Sequence, residues 1–498
     1  MTNHISDTIS WTFAVYIVMM LAIGVYAYQR TQNLSDYILG GRRLGSLTAA
    51  LSAGASDMSG WLLLGLPGLA YASGIQSAWL VIGLLLGGYL NWWIVARRLR
   101  IYSELAGDSL TLPAFFNNRF ADSSHSLRII GAIFTLLFYL LYTVSGLVAG
   151  GKLFSAVFGL PYEWAVIIGM ATILVYTLLG GFLAVCWTDV FQGLLMLFAL
   201  VLVPVLAAQA VGGWPQAYTS LQGATPMLLS LWRDHAGQPI GAIAILSLLA
   251  WGLGYFGQPH ILARFKAVQT PHQIAQARRI AVSWSAVAML GAVLVGLLGQ
   301  VYFSQGGGIQ DSERVFILLV DRMLPAALAG ICLAAILAAI MSTADSQLLV
   351  SASVLTEDLY KIVMRRQLSQ THLIWVGRLA VLVIALAATW LASDPQNSVL
   401  NLVGYAWAGF GAAFGPPLIL ALHWRNMNRW GALAGMIGGG VCVVVWKQLH
   451  GGIFDLYELL PGFICATIAV VLVSVITGKP DQKVLAAFDE MQQHCKTA

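Results

Sequence analysis

Apolar runs of about 20 residues, the length that carries a helix across a bilayer, follow one another along nearly the whole chain. About 13 can be placed, with approximate cores at 10–28, 48–73, 78–96, 129–154, 163–187, 190–212, 239–259, 280–303, 324–350, 373–393, 399–422, 430–448 and 459–477. Of the 498 residues 59% are hydrophobic and only 9% charged, whereas soluble globular domains carry roughly 25% charged residues. A soluble fold is excluded. No polar or Pro/Ser-rich linker divides the sequence, so it reads as one all-α integral membrane domain over 1–478 with a polar tail at 479–498. The first run starts near Trp11 with no Lys or Arg before it and is as long as a full span; it reads as a span, not a cleaved leader.

The net charge of +5 takes its meaning from position. Alternate loops hold about 20 of the 26 basic residues, among them Arg30, Arg42, Arg43, Arg97, Arg98, Arg100, Arg264, Lys266, Lys361, Arg365, Arg366, Arg425 and the tail lysines. Basic residues gather in cytoplasmic loops, which puts the carboxy terminus inside and, with an odd number of spans, the amino terminus outside. The charge is thus a topology signal, not a nucleic-acid footprint. Five cysteines without a CxxC pair indicate neither a disulfide framework nor a zinc site. All nine histidines fall in loops, tails or span ends and receive no role.

Two runs are interrupted. The second contains Gly54, Ala55, Ser56, Asp57, Met58, Ser59 and Gly60; at 1.5 Å per residue Asp57 sits about 14 Å into its span, near the middle of a 30 Å core. An ionised carboxylate there needs a partner; a polar packing residue is the plainer alternative. The seventh carries Gly252, Gly254, Gly257 and Pro259 within eight residues, which disfavours a continuous helix. Backbone exposed at membrane depth is tolerated where it lines a cavity. Trp251 and Tyr255, four apart, share a helical face and suit the wall of a pocket for a compact ligand. Five spans separate one break from the next, which predicts inverted repeats of five spans at about 48–212 and 239–422, with peripheral helices at about 10–28, 430–448 and 459–477.

The ninth run offers Ala339, Ser342 and Thr343 on one face, oxygen donors that suit a hard monovalent cation or, more plainly, interhelical packing. Asp345 and Ser346 follow, and a second acid at membrane depth invites a cation, a proton or a basic partner. Asp189, at the end of the fifth run, either marks the interface or steers an ion.

In these residues the chain resembles the sodium/solute symporter family, and within it the bacterial branch that carries proline. The resemblance runs from about residue 35 to 478 and is carried by 35–42, 53–62, 180–189, 251–265, Met341-Ser342-Thr343 and 405–416. It implies a five-plus-five inverted-repeat fold, sodium-coupled uptake of L-proline and a bacterial inner-membrane location. It implies sodium held by Ala55, Met58, Ala339, Ser342 and Thr343 with Asp57 in support, and a proline pocket near Ser59, Gly60, Trp61, Tyr142, Trp251, Tyr255 and Pro259. Arg42 resembles an arginine on the inner sodium pathway. One departure is Asp345-Ser346 after Met-Ser-Thr, where the proline branch has Ser and Cys; with Asp189 these are candidates for a second ion. Another small solute as cargo, or a transporter-like sensor, are the rival readings; no nucleophile-base pair or metal motif points to an enzyme.

Overall fold

The structure is a computed structural model that describes residues 2–28, 34–179, 181–224, 226–233, 237–304, 308–364 and 369–497; Arg30, Gly180, Arg365 and Arg366 lie outside these. Its major helices, in chain order, are α1 (Thr2–Tyr28), α2 (Ser46–Asp57), α3 (Leu66–Ser73), α4 (Ala78–Leu90), α5 (Ala96–Leu105), α6 (Ser126–Phe158), α7 (Tyr162–Leu179), α8 (Phe182–Ala210) and α9 (Ala242–Ala250). They continue with α10 (Pro259–Ala267), α11 (Ile274–Phe303), α12 (Ala326–Ser353), α13 (Gln370–Leu391), α14 (Val399–His423), α15 (Arg429–Trp446), α16 (Leu459–Ile476) and α17 (Gln482–Thr497). Among the described residues nine helices are long and apolar enough to cross a membrane, and the pair α9–α10, bent by 48°, makes a tenth.

The pattern of burial is that of a protein dissolved in lipid. Large apolar side chains stand outward, including Trp11, Val15, Trp390, Ile468 and Ile476, while Asp57, Asp189, Arg264 and Asp345 are buried. Polar groups in hydrocarbon must be satisfied internally, so they mark the interior of the bundle. Among the long apolar helices α12 and α14 are the most enclosed, buried along most of their lengths.

Both interrupted runs are broken helices, as their glycines predict. The first consists of α2, a gap at Met58–Ser59, helical Gly60 leading into a π-helical stretch Trp61–Gly65, and α3. The second consists of α9, a tight 3-10 stretch Trp251–Gly257 and α10. Three glycines bring α4 against this second break: a Cβ on Gly87 would land on the carbonyl of Gly252, and one on Gly252 on the carbonyl of Gly83. Spacing of small residues by four lets two backbones meet in this way.

Three boundaries differ from the sequence reading. The seventh run does not end near 259: Pro259 occupies the first turn of a new helix, where its missing N–H costs nothing and its fixed φ suits the start. Arg264 and Lys266 therefore belong to α10 and are each 1% exposed, not loop residues. His260 likewise is fully buried in α10, not at a span end. The fifth run stops at Leu179 and α8 starts at Phe182, so Asp189 lies two turns inside α8. Finally, residues 482–497 form α17, which packs Phe488 and Met491 out of contact with water against the rest of the chain.

Candidate functional site

The first break makes a hub of the Asp57 backbone. Met58 leaves helical geometry (φ −87°, ψ 68°), and the Ser59 N–H turns back onto the Asp57 carbonyl at 3.0 Å. That carbonyl has lost its helical partner and also accepts the Tyr142 hydroxyl and the Trp61 indole N–H, each at 3.2 Å. From the second break, the Tyr255 hydroxyl donates to Oδ2 of Asp57 at 2.6 Å. Ser59, Trp61, Tyr142 and Tyr255 are thus brought around one residue. Gly60 lets α6 pack close against the break, since a Cβ there would lie 2.7 Å from that of Ala149.

Trp251 is placed elsewhere. Its ring stacks on Tyr457 at 5.2 Å and 17°, and it lines a separate cavity of about 290 Å³ with Tyr405, Lys447, Tyr457 and Glu458. The backbone that carries Trp251 and Tyr255 is braced by α14: Trp407 Nε1 donates to the Trp251 carbonyl at 2.7 Å, and Gln258 Nε2 donates to the carbonyls of Gly254 (3.1 Å) and Trp407 (3.3 Å). Unwound backbone at this depth is thereby satisfied by side chains. Pro259 is buried and starts α10.

On the other side of α2, oxygens from two helices converge. Ser342 Oγ lies 2.8 Å from the Ala55 carbonyl and 3.1 Å from the Ala339 carbonyl, and Thr343 Oγ1 is buried with no hydrogen-bond partner. Met58 is fully buried beside them at the end of α2. Carbonyls, a hydroxyl and an orphaned hydroxyl without a basic group are the donor set of a hard cation of low charge. The residues fit sodium.

A third cluster surrounds Arg264. Its Nη2 donates to Asp189 Oδ2 (3.1 Å) and Ser346 Oγ (2.6 Å), its Nε to Ser52 Oγ (3.0 Å) and its Nη1 to the His260 carbonyl (2.9 Å). Asp345 joins through Ser346, whose hydroxyl is 3.3 Å from Asp345 Oδ1. Asp189 therefore pairs with a resident guanidinium that ties together α2, α8, α10 and α12, and Asp345 is linked to it through the Ser346 hydroxyl. Arg42 lies at the mouth of this region: Nε and Nη2 hold Asp108 Oδ1 at 2.9 and 2.7 Å, while Nη1 reaches Ser103 Oγ (3.0 Å) and the Lys266 carbonyl (2.8 Å).

Sequence reasoning passed over three residues here. Arg264 has the sequence appearance of a loop cation because the apolar run closes near Pro259. His260 followed the same error; its backbone N–H donates to Tyr139 Oη at 2.8 Å, and Tyr139 Oη lies 3.0 Å from its Nδ1. Asn91, whose Nδ2 donates to the Tyr255 carbonyl at 2.9 Å, carried one signal, an amide inside an otherwise apolar run.

The pattern of the Sodium:solute symporter family matches residues 37–439. The sodium/proline symporter of Salmonella typhimurium is 49% identical over 499 residues, covering 99% of this chain and 98% of that protein. The sodium/proline symporter of Escherichia coli K12 is likewise 49% identical with the same coverage. Among solved structures, a substrate-bound, outward-open Na+-coupled sialic acid symporter superposes with a TM-score of 0.78 at 20% identity, over 95% of this chain and 99% of that one. A match along nearly the whole membrane domain, with both broken helices in place, makes this chain a member of the sodium:solute symporter family.

Proposed function

We propose that this chain takes up L-proline together with sodium by alternating access. The observation that carries the reading is the 49% identity, over nearly the full length, to proteins that bear that activity in their names. The convergent oxygens of Ala55, Ala339 and Ser342, with orphaned Thr343, support a sodium position joining α2 to α12. Met58 supplies a fifth oxygen in this reading.

Sodium entering from outside draws α2 onto α12 and fixes the broken helix, so the hub at Asp57 is in place when the solute arrives. Proline's carboxylate meets the start of the helix that resumes at Gly60 and Trp61, where the helix dipole favours an anion. Tyr142, Trp61 and Tyr255 border its ring, while Trp251, on the separate cavity, bears on the pocket through the backbone that carries Tyr255. Release inward requires the Arg42–Asp108 contact to part from α10. Asp189 and Asp345, matched to Arg264, act in this reading as a structural cluster at the inner end of the sodium path.

Thirteen spans follow if the residues from Ser46 to Ser73 and from Ala78 to Leu105 are two spans and α7 and α13 both cross. The excess of basic residues then sets the carboxy terminus in the cytoplasm and the amino terminus outside, in a bacterial inner membrane. One charge moving through 100 mV releases about 2.3 kcal/mol, and a tenfold sodium gradient adds about 1.4 kcal/mol. Together they sustain roughly several-hundred-fold accumulation for one coupled sodium. The deciding experiment is uptake of labelled proline into proteoliposomes with and without a sodium gradient; equal uptake in both rejects the reading.

A further inference from the structure

The carboxylate of Asp57 takes its hydrogen bond from the second broken helix and not from α12. Its Oδ2 is held by Tyr255, and its Oδ1 is buried without a hydrogen-bond partner. Beside it lies a cavity of about 30 Å³ whose lining includes Asp57, Gly88, Asn91, Trp92, Tyr255 and Ser285, and no residue of α12. A water molecule needs about 10–15 Å³ of such volume, so the space admits an ion with one water.

A second oxygen in this lining is also orphaned. Asn91 donates its amide nitrogen to the Tyr255 carbonyl, which fixes the sense of the amide and leaves Oδ1 as the remaining acceptor; that Oδ1 is buried and unpartnered. Asn91 opens a π-helical stretch, Asn91–Val95, and such local widening of a helix is frequent at functional sites. Asp57 and Asn91 are 2% and 1% exposed. Among the described residues no ion pair reaches Asp57, and the buried Arg264 is engaged by Asp189. An ionised carboxylate at this depth without a countercharge costs several kcal/mol.

We propose that this cavity is a separate coordination site for one monovalent cation, held by Asp57 Oδ1 and Asn91 Oδ1, which sodium occupies before it moves to the five-oxygen position between α2 and α12. A single carboxylate with neutral oxygens balances one positive charge; a divalent ion calls for more acidic ligands and a larger shell. The inference rests on the sodium-symport reading and locates where its ion first binds. One ion still crosses per cycle.

The test is binding of radiolabelled sodium to the purified protein in nanodiscs without proline. In a background with Ser342→Ala and Thr343→Ala, which strips two oxygens from the five-oxygen position, sodium binding persists at about one ion per chain with affinity lowered about tenfold or more. Adding Asn91→Leu abolishes it. Gly88→Ala narrows the cavity without touching a polar group, because its Cβ would sit 3.6 Å from the Tyr255 ring in ordinary contact. Added to the double-alanine background it weakens the remaining sodium binding about fivefold, and on its own it changes proline affinity at saturating sodium less than about twofold. Loss of all sodium binding in the double-alanine background, or residual binding there that Gly88→Ala leaves unchanged, overturns the proposal and leaves a cavity that holds water only. Absence of sodium binding and of sodium-driven proline uptake in the unaltered chain rejects the symport reading itself.

Discussion

Tyr255, in the second broken helix, donates a 2.6 Å hydrogen bond to the carboxylate of Asp57 in the first. The two interruptions are therefore joined directly, side chain to side chain, at the point where each leaves regular helix. With Asp57→Asn the hydroxyl keeps an acceptor while the charge disappears. Sodium activation of proline uptake is expected to weaken by about a hundredfold or more, with the protein still present in the membrane. Tyr255→Phe, which keeps the charge and removes the link, is expected to raise the KM for proline more than that for sodium. Uptake into proteoliposomes across a sodium series separates the two.

Thr343 offers an oxygen with no internal partner, whereas Ser342 already touches two carbonyls. Thr343→Ala removes a proposed sodium ligand and no internal hydrogen bond. Half-saturation for sodium is expected to rise about tenfold, equivalent to about 1.4 kcal/mol, without loss of thermal stability. Thr343→Ser should restore the sodium response.

Arg264 and Asp189 are 1% and 0% exposed, with their charges 3.1 Å apart. Removing one partner of a buried pair costs about 3–5 kcal/mol, because the other charge stays behind. Arg264→Leu is expected to lower the unfolding temperature in detergent sharply. Arg264→Leu combined with Asp189→Leu should recover much of that loss. Equal destabilisation by the single and double variants would show that Asp189 has another cation.

The glycines of α4 make a sharp contrast with one in α6. Gly87→Ala drives a methyl into the Gly252 carbonyl, while a Cβ at Gly150 meets nothing within 4 Å. Gly87→Ala is expected to abolish uptake or cut it by more than about tenfold. Gly150→Ala should leave membrane insertion and thermal stability at the level of the unaltered protein.

Phe488 anchors α17. It is fully buried, its ring lies 5.2 Å beneath the Arg119 guanidinium, and the neighbouring Asp489 holds Arg425 at 2.8 and 2.7 Å. Phe488→Ala loses about 3–5 kcal/mol of local packing. The last segment should then be cleaved by trypsin at Lys483 and Lys496 at concentrations that spare the unaltered chain.

The breaks were legible because glycine and proline act locally: Gly60, Gly254 and Pro259 speak for themselves in an apolar run. The oxygens of Ala339, Ser342 and Thr343 were legible because helical spacing alone puts them on one face. Arg264 was not, since its environment is assembled from α2, α8 and α12, and a cation close to a proline has the same sequence appearance in a loop as in a restarted helix. Asn91 was hidden for a related reason. Its meaning comes from a change of helical pitch and from a carbonyl 164 residues away, and neither leaves a periodic trace. The length of the tail helix escaped notice because its few apolar residues, Val484, Phe488 and Met491, are too sparse to stand out beside transmembrane runs.

The contact of Gly83 and Gly87 with Gly252 is made of main chain on both sides. Its shape is therefore independent of which side chains surround it, and residues such as Trp251 and Tyr255 can be exchanged without refitting the surface on which the second break rests.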